Sequence, residues 1–453
     1  MSYLAHGIGG VRDLPVPESF FFTTAAIVLV VSFILLGALW REAQLERRGR
    51  GHQLGGAVEA VVGSRASRVL VQAVSVVVFV VVFYSALFGT EVELRNLSGT
   101  FVYVVFWLGL PLLSVMLGDV WRVLSPWRAI ADGVVWLLER GGYRAQPVYE
   151  YPAGVGRYPA AIALFSFVAL ELAHPRPAAP RTLAIAIAVY TYWALAGMAV
   201  YGRDTWTTRG EGFAVMFNLL SRLAPLAYLE GRIVVRWPFT GLGGVERIPG
   251  TLLVVAVMLG STSFDGFSRT STWQNLIGDV REHFADSSLR VLDLATTAVN
   301  LLGLVLLVLA VVVTYAVAVE SARRLVRAPR SLLPDFGLSL VPIALGYMVA
   351  HYFSLFVLQG QFTFFLVSDP LGRGSDLFGT ADYQPNLGLL SPNAIWYVQV
   401  VALVVGHVAA LAVAHDRAVD LFESRGNALR SQYPMLALMV LYTVGGLWLL
   451  SQG

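Results

Sequence analysis

The chain has 453 residues, of which 57% are hydrophobic and only 13% charged. Soluble domains usually carry about 25% charged residues, so this chain lacks the polar side chains that a water-facing surface needs. It contains no cysteine, which excludes disulfides, thiolate catalysis and an iron–sulfur cluster. The net charge of +3 is small, and nothing in the sequence supports a nucleic-acid partner.

Ten apolar segments are long enough to span a membrane, since about 20 residues cross roughly 30 Å of hydrocarbon. They predict an all-α, polytopic membrane helix bundle that forms one transmembrane domain over residues 1–453. Such a multi-pass chain is typical of a bacterial cytoplasmic membrane, with the lipid bilayer as its main partner. The segments lie near 20–40, 69–89, 100–120, 158–173, 182–201, 249–264, 291–319, 338–360, 392–415 and 433–450.

The arginines predict the orientation of the spans. If the N-terminus lies outside, the five inner loops hold 24 arginines, and the tail and outer loops hold 8. Cytoplasmic loops carry an excess of basic residues, so this distribution favours both termini outside, with an extracytoplasmic tail over 1–19. The inner loops are 41–68, 121–157, 202–248, 320–335 and 416–432.

Two inner segments have apolar residues at helical spacing. In "PWRAIADGVVWLLER" the apolar side chains recur on one side, which predicts an interfacial helix within 124–142 on the inner leaflet. The stretch "GFAVMFNLLSRLAPLAYL" at 212–229 is read as a second interfacial helix or as a re-entrant segment.

The eighth span carries polar residues at positions where leucine would cost less free energy in the membrane. Tyr347, His351, Ser354 and Gln361 recur at helical steps on one stripe, and Gln359 lies beside them. Polar side chains within a membrane need partners, so each is a functional hypothesis. This stripe is expected to face the bundle interior or a wet cavity.

The neighbouring spans also place polar groups toward their outer ends. Together, residues 249–415 predict a vestibule that opens outward and takes a small-molecule ligand. Its lining outside the eighth span is expected to include Asp293, Thr297, Asn300 and Gln399.

Titratable residues on the same side suggest a divalent metal as one hypothesis. Haem between His351 and His407 is a weaker one. At about 1.5 Å per residue the two histidines lie about 10 Å apart in depth, which argues against a shared axial pair. The candidate metal ligands are His6, His283, His351, Asp265 and Asp369.

Three stretches carry a family resemblance: "AHGIGGVRDLPVPESFFF", "STSFDGFSRTSTW" and "AHYFSLFVLQGQFTFFLVSDPLGRGSDLFG". They resemble a family of bacterial integral membrane proteins catalogued as fenitrothion hydrolase. The resemblance implies a polytopic membrane fold and hydrolysis of an organophosphate ester, for which water is usually activated by a metal. It supplies no catalytic residues, and the paired-histidine motifs of soluble phosphotriesterases are absent from the sequence.

Three function classes follow from the sequence. The first is an enzyme with an extracytoplasmic site, which the family resemblance implies to be a hydrolase. The second is a transporter or channel for a small solute, which requires polarity that continues to the inner face. The third is a membrane subunit that binds haem or a partner protein. The one-sided polarity favours an outward-facing site over a continuous path.

Overall fold

Long runs of apolar residues leave the backbone no polar partner but itself, so the chain folds into helices. The computed structural model describes residues 18–45, 51–53, 55–56, 63–144, 146–229, 232–243 and 245–452. Within these residues ten helical segments are long and apolar enough to cross a membrane, which confirms the predicted all-α bundle. Apart from its last two residues, the predicted tail 1–19 lies outside the described residues.

The principal helices, numbered in chain order, run close to the predicted spans. They are α1 (Glu18–Leu39), α2 (Arg65–Phe88), α3 (Leu97–Leu117), α4 (Pro126–Arg140), α5 (Tyr158–Ala173), α6 (Pro180–Tyr201), α7 (Arg203–Arg209), α8 (Gly212–Ser221), α9 (Thr251–Ser268), α10 (Ser271–His283), α11 (Leu289–Leu325), α12 (Val341–Gln359), α13 (Pro392–Leu421) and α14 (Arg425–Ser451). Within α3, Phe101–Gly109 is π-helical. Short helical turns lie at Trp121–Leu124, Leu333–Phe336 and Phe362–Leu366.

The loops contact one another in two sets, at opposite ends of the bundle. At one end, the amide of Thr90 donates to the carbonyl of Leu371 and that of Leu97 to Pro370. At the other end, Trp40 donates its indole N–H to Asp416. These two sets match the loops that the arginines assign to the outside and the inside. We call them the outer end and the inner end.

The inner end also holds a small sheet that the sequence analysis did not predict. Strands β1 (His52–Gln53), β2 (Leu226–Leu229) and β3 (Arg232–Val235) are antiparallel, in the order β1-β3-β2. The segment 212–229, read as interfacial or re-entrant, forms the buried helix α8 and then β2. The predicted interfacial helix is α4. Its Trp136 and Leu137 point away from the bundle and are exposed.

Small residues let α12 and α13 approach closely. A Cβ atom at Gly346 would lie 2.8 Å from the carbonyl oxygen of Ala402, and one at Gly406 would lie 2.9 Å from that of Pro342. Helices in a membrane associate through such close backbone packing. This contact fixes α12 against α13, while α9 packs against α5, α11 and α12. Near the outer end, α9 therefore lies in contact with both α5 and α12.

Candidate functional site

A buried carboxylate links α9 to α12 near the outer end. Asp265 is only 1% exposed, and its Oδ2 lies 2.7 Å from Nε2 of His351. Its other oxygen, Oδ1, accepts a hydrogen bond of 3.2 Å from the guanidinium of Arg269. Tyr352, the residue after His351, interacts electrostatically with Asp265. Asp265 is thus shared between one fixed cation and one group that can bind a proton.

Local geometry brings these side chains together. Asp265 and Arg269 are four residues apart at the end of α9, so they lie on the same helical face. Gly266 follows Asp265, and a Cβ there would lie 3.9 Å from Cε1 of His351 and 3.3 Å from Cβ of Leu449. A larger residue at position 266 would therefore touch the imidazole at an ordinary contact distance and would crowd Leu449 of α14.

Glu171 belongs to the same group, although the sequence analysis did not single it out. It lies on α5, is 2% exposed, and interacts electrostatically with Asp265 and Tyr352. Its Oε2 atom has no hydrogen-bond partner among the described residues. The signal was present in the sequence, as a single acidic residue in the apolar run "SFVALELA". We call Glu171, Asp265, Arg269, His351 and Tyr352 the Asp265 cluster.

Polar groups continue from the Asp265 cluster toward the middle of the bundle. Tyr347, one helical turn inward from His351, donates a 2.6 Å hydrogen bond to the carbonyl of Tyr442. The hydroxyl of Tyr442 lies 2.6 Å from that of Thr314. The ring of His407 lies 5.9 Å from that of Tyr347, between centroids. This series reaches further inward than the sequence indicated.

His407 is fully buried between α12 and α13. Its Nδ1 atom lies 2.8 Å from the carbonyl oxygen of Leu403, and its Nε2 atom has no hydrogen-bond partner among the described residues. His351, the second histidine of the haem hypothesis, contacts Asp265 through its Nε2 atom.

Of the five candidate metal ligands, the structure brings Asp265 and His351 together. His283 lies at the end of α10 against Phe284, and Asp369 lies in an outer loop. His6 lies outside the described residues. Within the described part of the chain, no three or more His, Asp or Glu side chains are placed to hold a metal ion.

The predicted lining residues lie in several different surroundings. Asn300 accepts a hydrogen bond of 3.0 Å from the indole of Trp273 on α10. Asp293 is exposed, and Thr297 and Gln399 are half-buried. Ser354 and Gln359 are buried within α12.

Gln361 holds the outer loop by hydrogen bonds. Its side-chain carbonyl accepts from the amide of Asn386 at 2.9 Å and from the hydroxyl of Tyr383 at 3.2 Å. Its side-chain NH₂ donates to the carbonyl of Asn386 at 3.1 Å. Asp369 closes a turn in the same loop, where it accepts from the amides of Arg373 and Gly374.

Two clefts lie elsewhere in the protein. One, of about 930 Å³, lies between α2, α3, α5 and α6 and is lined mainly by apolar side chains. The other, of about 520 Å³, lies at the inner end beside Asp335 and Arg417. Neither is lined by Asp265 or His351.

Comparison of the chain with models of known protein families, with curated proteins and with solved structures finds no match.

Proposed function

We propose that the protein is a transporter that moves protons across the membrane, in which the Asp265 cluster binds and releases the transported proton. The observation that carries this proposal is the buried carboxylate of Asp265, bonded to both His351 and Arg269. Ionisable residues inside a membrane are costly, and they commonly form ion pathways and proton relays.

The chemistry of the three partners suits a proton site. The guanidinium of Arg269 stays protonated at any pH that a protein experiences. Histidine is the side chain whose ordinary pKa lies nearest to neutral pH. A proton on His351 changes the total charge around Asp265, whereas Arg269 keeps its charge. Binding of a proton therefore alters the attraction that holds α9 to α12.

The polar series through Tyr347, Tyr442 and Thr314 supports transport over a site confined to the outer end. These hydroxyls connect α12, α14 and α11 by hydrogen bonds. A hydroxyl can both donate and accept, so groups of this kind relay a proton at mid-depth if they exchange their present hydrogen bonds. The tight packing of Gly346 of α12 against Ala402 and Gly406 of α13 holds these two helices together as one unit.

The test uses protein in liposomes that contain a pH-sensitive dye, with an imposed pH gradient and the proton itself as probe. Wild-type protein is expected to dissipate the gradient faster than protein-free liposomes. Asp265→Asn and His351→Gln should return the rate to that of protein-free liposomes. Asp293→Asn and His283→Gln are matched controls, since both residues lie outside the cluster at the same end. Equal rates for wild type and both cluster variants would overturn the proposal.

Glu171→Gln tests whether the proton site extends to α5. The amide has nearly the shape of the carboxyl group, and Oε2 has no described partner to lose, so stability should change by less than about 1 kcal/mol. Proton flux should fall, because an amide binds no proton in this range. Unchanged flux in a stably folded Glu171→Gln protein would restrict the site to Asp265 and His351.

Hydrolysis is the second candidate, and the Asp265–His351 contact favours it. A carboxylate that orients an imidazole is the arrangement of a general base, and Arg269 adds a nearby positive charge. With the family resemblance, this suggests attack of water on an organophosphate ester. Release of nitrophenol from an aryl phosphotriester by wild type but not by His351→Gln, without proton flux, would favour this candidate over transport.

A further inference from the structure

The cleft of about 930 Å³ is an apolar groove that follows the length of α2. Its lining on α2 extends from Leu70 near the inner end to Val82 near the outer end. At about 1.5 Å per residue these positions are about 18 Å apart, enough for the inner half of an acyl chain's path, and the other walls carry the lining on to His174 and Thr182 at the outer end. The opposite wall is formed by α5 and α6.

The polar side chains along the inner and middle parts of the groove are already bonded to protein. Ser75 donates to the carbonyl of Leu124, and Ser166 donates to that of Ile162 at 2.9 Å. The hydroxyl of Tyr190 donates to Glu211, and the indole of Trp127 donates to Thr191 at 3.0 Å. These hydroxyl and indole hydrogens are therefore committed, which leaves hydrocarbon as the matching occupant.

Two cations lie at the inner mouth of the groove. Arg68 is one turn before Val71 on the lining stripe of α2, and Arg122 lies between the lining residues Trp121 and Leu124. Both are exposed, and neither forms an ion pair within the part of the chain that the structure describes. In contrast, nearby Arg128 and Arg203 are paired with Asp204 and Asp132.

We propose that the groove binds an anionic phospholipid of the inner leaflet, with one acyl chain between α2 and α6 and its phosphate at Arg68 and Arg122. The mouth lies at the end that the arginines assign to the cytoplasm, where anionic lipids are concentrated. The combination of an apolar groove that opens at the inner end and two unpaired cations beside that opening distinguishes this site from general contact with lipid.

Native mass spectrometry of the whole protein tests this site by lipid titration. The probes are dioleoyl phosphatidylglycerol and dioleoyl phosphatidylcholine, which share acyl chains and differ in charge. We expect preferential retention of the anionic lipid. The double variant Arg68→Gln/Arg122→Gln should weaken its binding about thirtyfold, since each arginine near an anionic lipid contributes roughly a fivefold factor. Arg181→Gln, at the outer end, is the control and should change nothing.

Groove-filling variants test the acyl chain separately. Ala186→Trp fills the groove and should release both lipids, whereas Ala188→Trp on the same helix points away from it and should release neither. Thermal unfolding confirms that each variant folds. Equal retention of the two lipids by wild type, unchanged binding in the double arginine variant, or full binding in folded Ala186→Trp would each overturn the proposal. So would equal competition by glycerol phosphate, which has no acyl chain.

Discussion

Two buried aspartates, one at each end of the bundle, differ in the partners that hold them. At the inner end Asp335 has a fully buried side chain and pairs with Arg247, Arg330 and Arg417, at 2.8, 2.9 and 3.3 Å. At the outer end Asp265 is bonded to one arginine and to His351. One aspartate is therefore paired only with arginines, and the other is paired with an arginine and a histidine.

The difference separates a structural ion pair from a proton site. All three cations around Asp335 keep their charge, so the balance there is fixed across physiological pH. They also join three segments, because Arg247 precedes α9, Arg330 follows α11 and Arg417 lies on α13. Around Asp265 the charge depends on whether His351 carries a proton. We infer that Asp335 serves mainly stability and Asp265 mainly function.

Asp335→Asn should give the largest loss of stability and so tests the structural half of the comparison. Breaking a buried ion pair costs about 3–5 kcal/mol, and the lower value applies because the arginines reach water. We expect a loss of about 3 kcal/mol in the free energy of unfolding, with proton flux retained by the folded fraction. Equilibrium unfolding in detergent measures it. Asp420→Asn, which removes only an exposed partner of Arg417, is the control and should cost less than about 1 kcal/mol.

Asp265→Asn should have a smaller effect on stability and a larger one on proton flux. The amide still hydrogen-bonds to His351, and Arg269 is 22% exposed and reaches water at the outer end. A loss of about 1.5 kcal/mol is expected, in the range for hydrogen bonds to charged groups. The same unfolding assay measures it. A loss as large as that of Asp335→Asn would mean that Asp265 is also chiefly a structural ion pair, and the comparison would fail.

The helices were predictable from sequence because a membrane span needs a minimum apolar length. The small sheet was not, because it depends on pairing between distant segments: Gln53 lies opposite Val234. Its strands have only two to four residues, too few for a periodic signal. The length of α11, 37 residues, was also underestimated, since its inner turns carry charges that a hydropathy window excludes.

The candidate site was predictable in part. Asp265 and His351 were both named from their positions, but their direct contact depends on how α9 packs against α12. The predicted stripe is divided in the structure. Tyr347 bonds to α14, whereas α12 ends at Gln359, so Gln361 lies beyond the helix and bonds to the outer loop. Sequence periodicity gives the face of a helix and not the neighbour that it meets.

Asp369, in the outer loop, is a third carboxylate for the comparison. It lies near water, so its substitution is expected to have the smallest effect on stability. Burial raises the pKa of Asp369, but hydrogen bonds from the Ser375 hydroxyl and from the amides of Gly374 and Arg373 outweigh it and lower the pKa below its usual value. A lowered pKa means that the folded turn favours the charged form. Its stabilisation is present above the ordinary aspartate pKa of about 3.9 and is lost as the pH falls through the folded value.

Amide hydrogen exchange at Gly374 should therefore quicken at acidic pH, after correction for intrinsic exchange, while the global unfolding midpoint stays nearly constant. Asp369→Asn should give the fast local exchange already at neutral pH, because an amide is a weaker acceptor than a carboxylate. Asp382→Asn, at an exposed position in the same loop, is the control and should behave as wild type. Loss of global stability in Asp369→Asn would place this loop with Asp335 as a structural element. A purely local response would leave the buried aspartates as the two groups that set stability and proton binding.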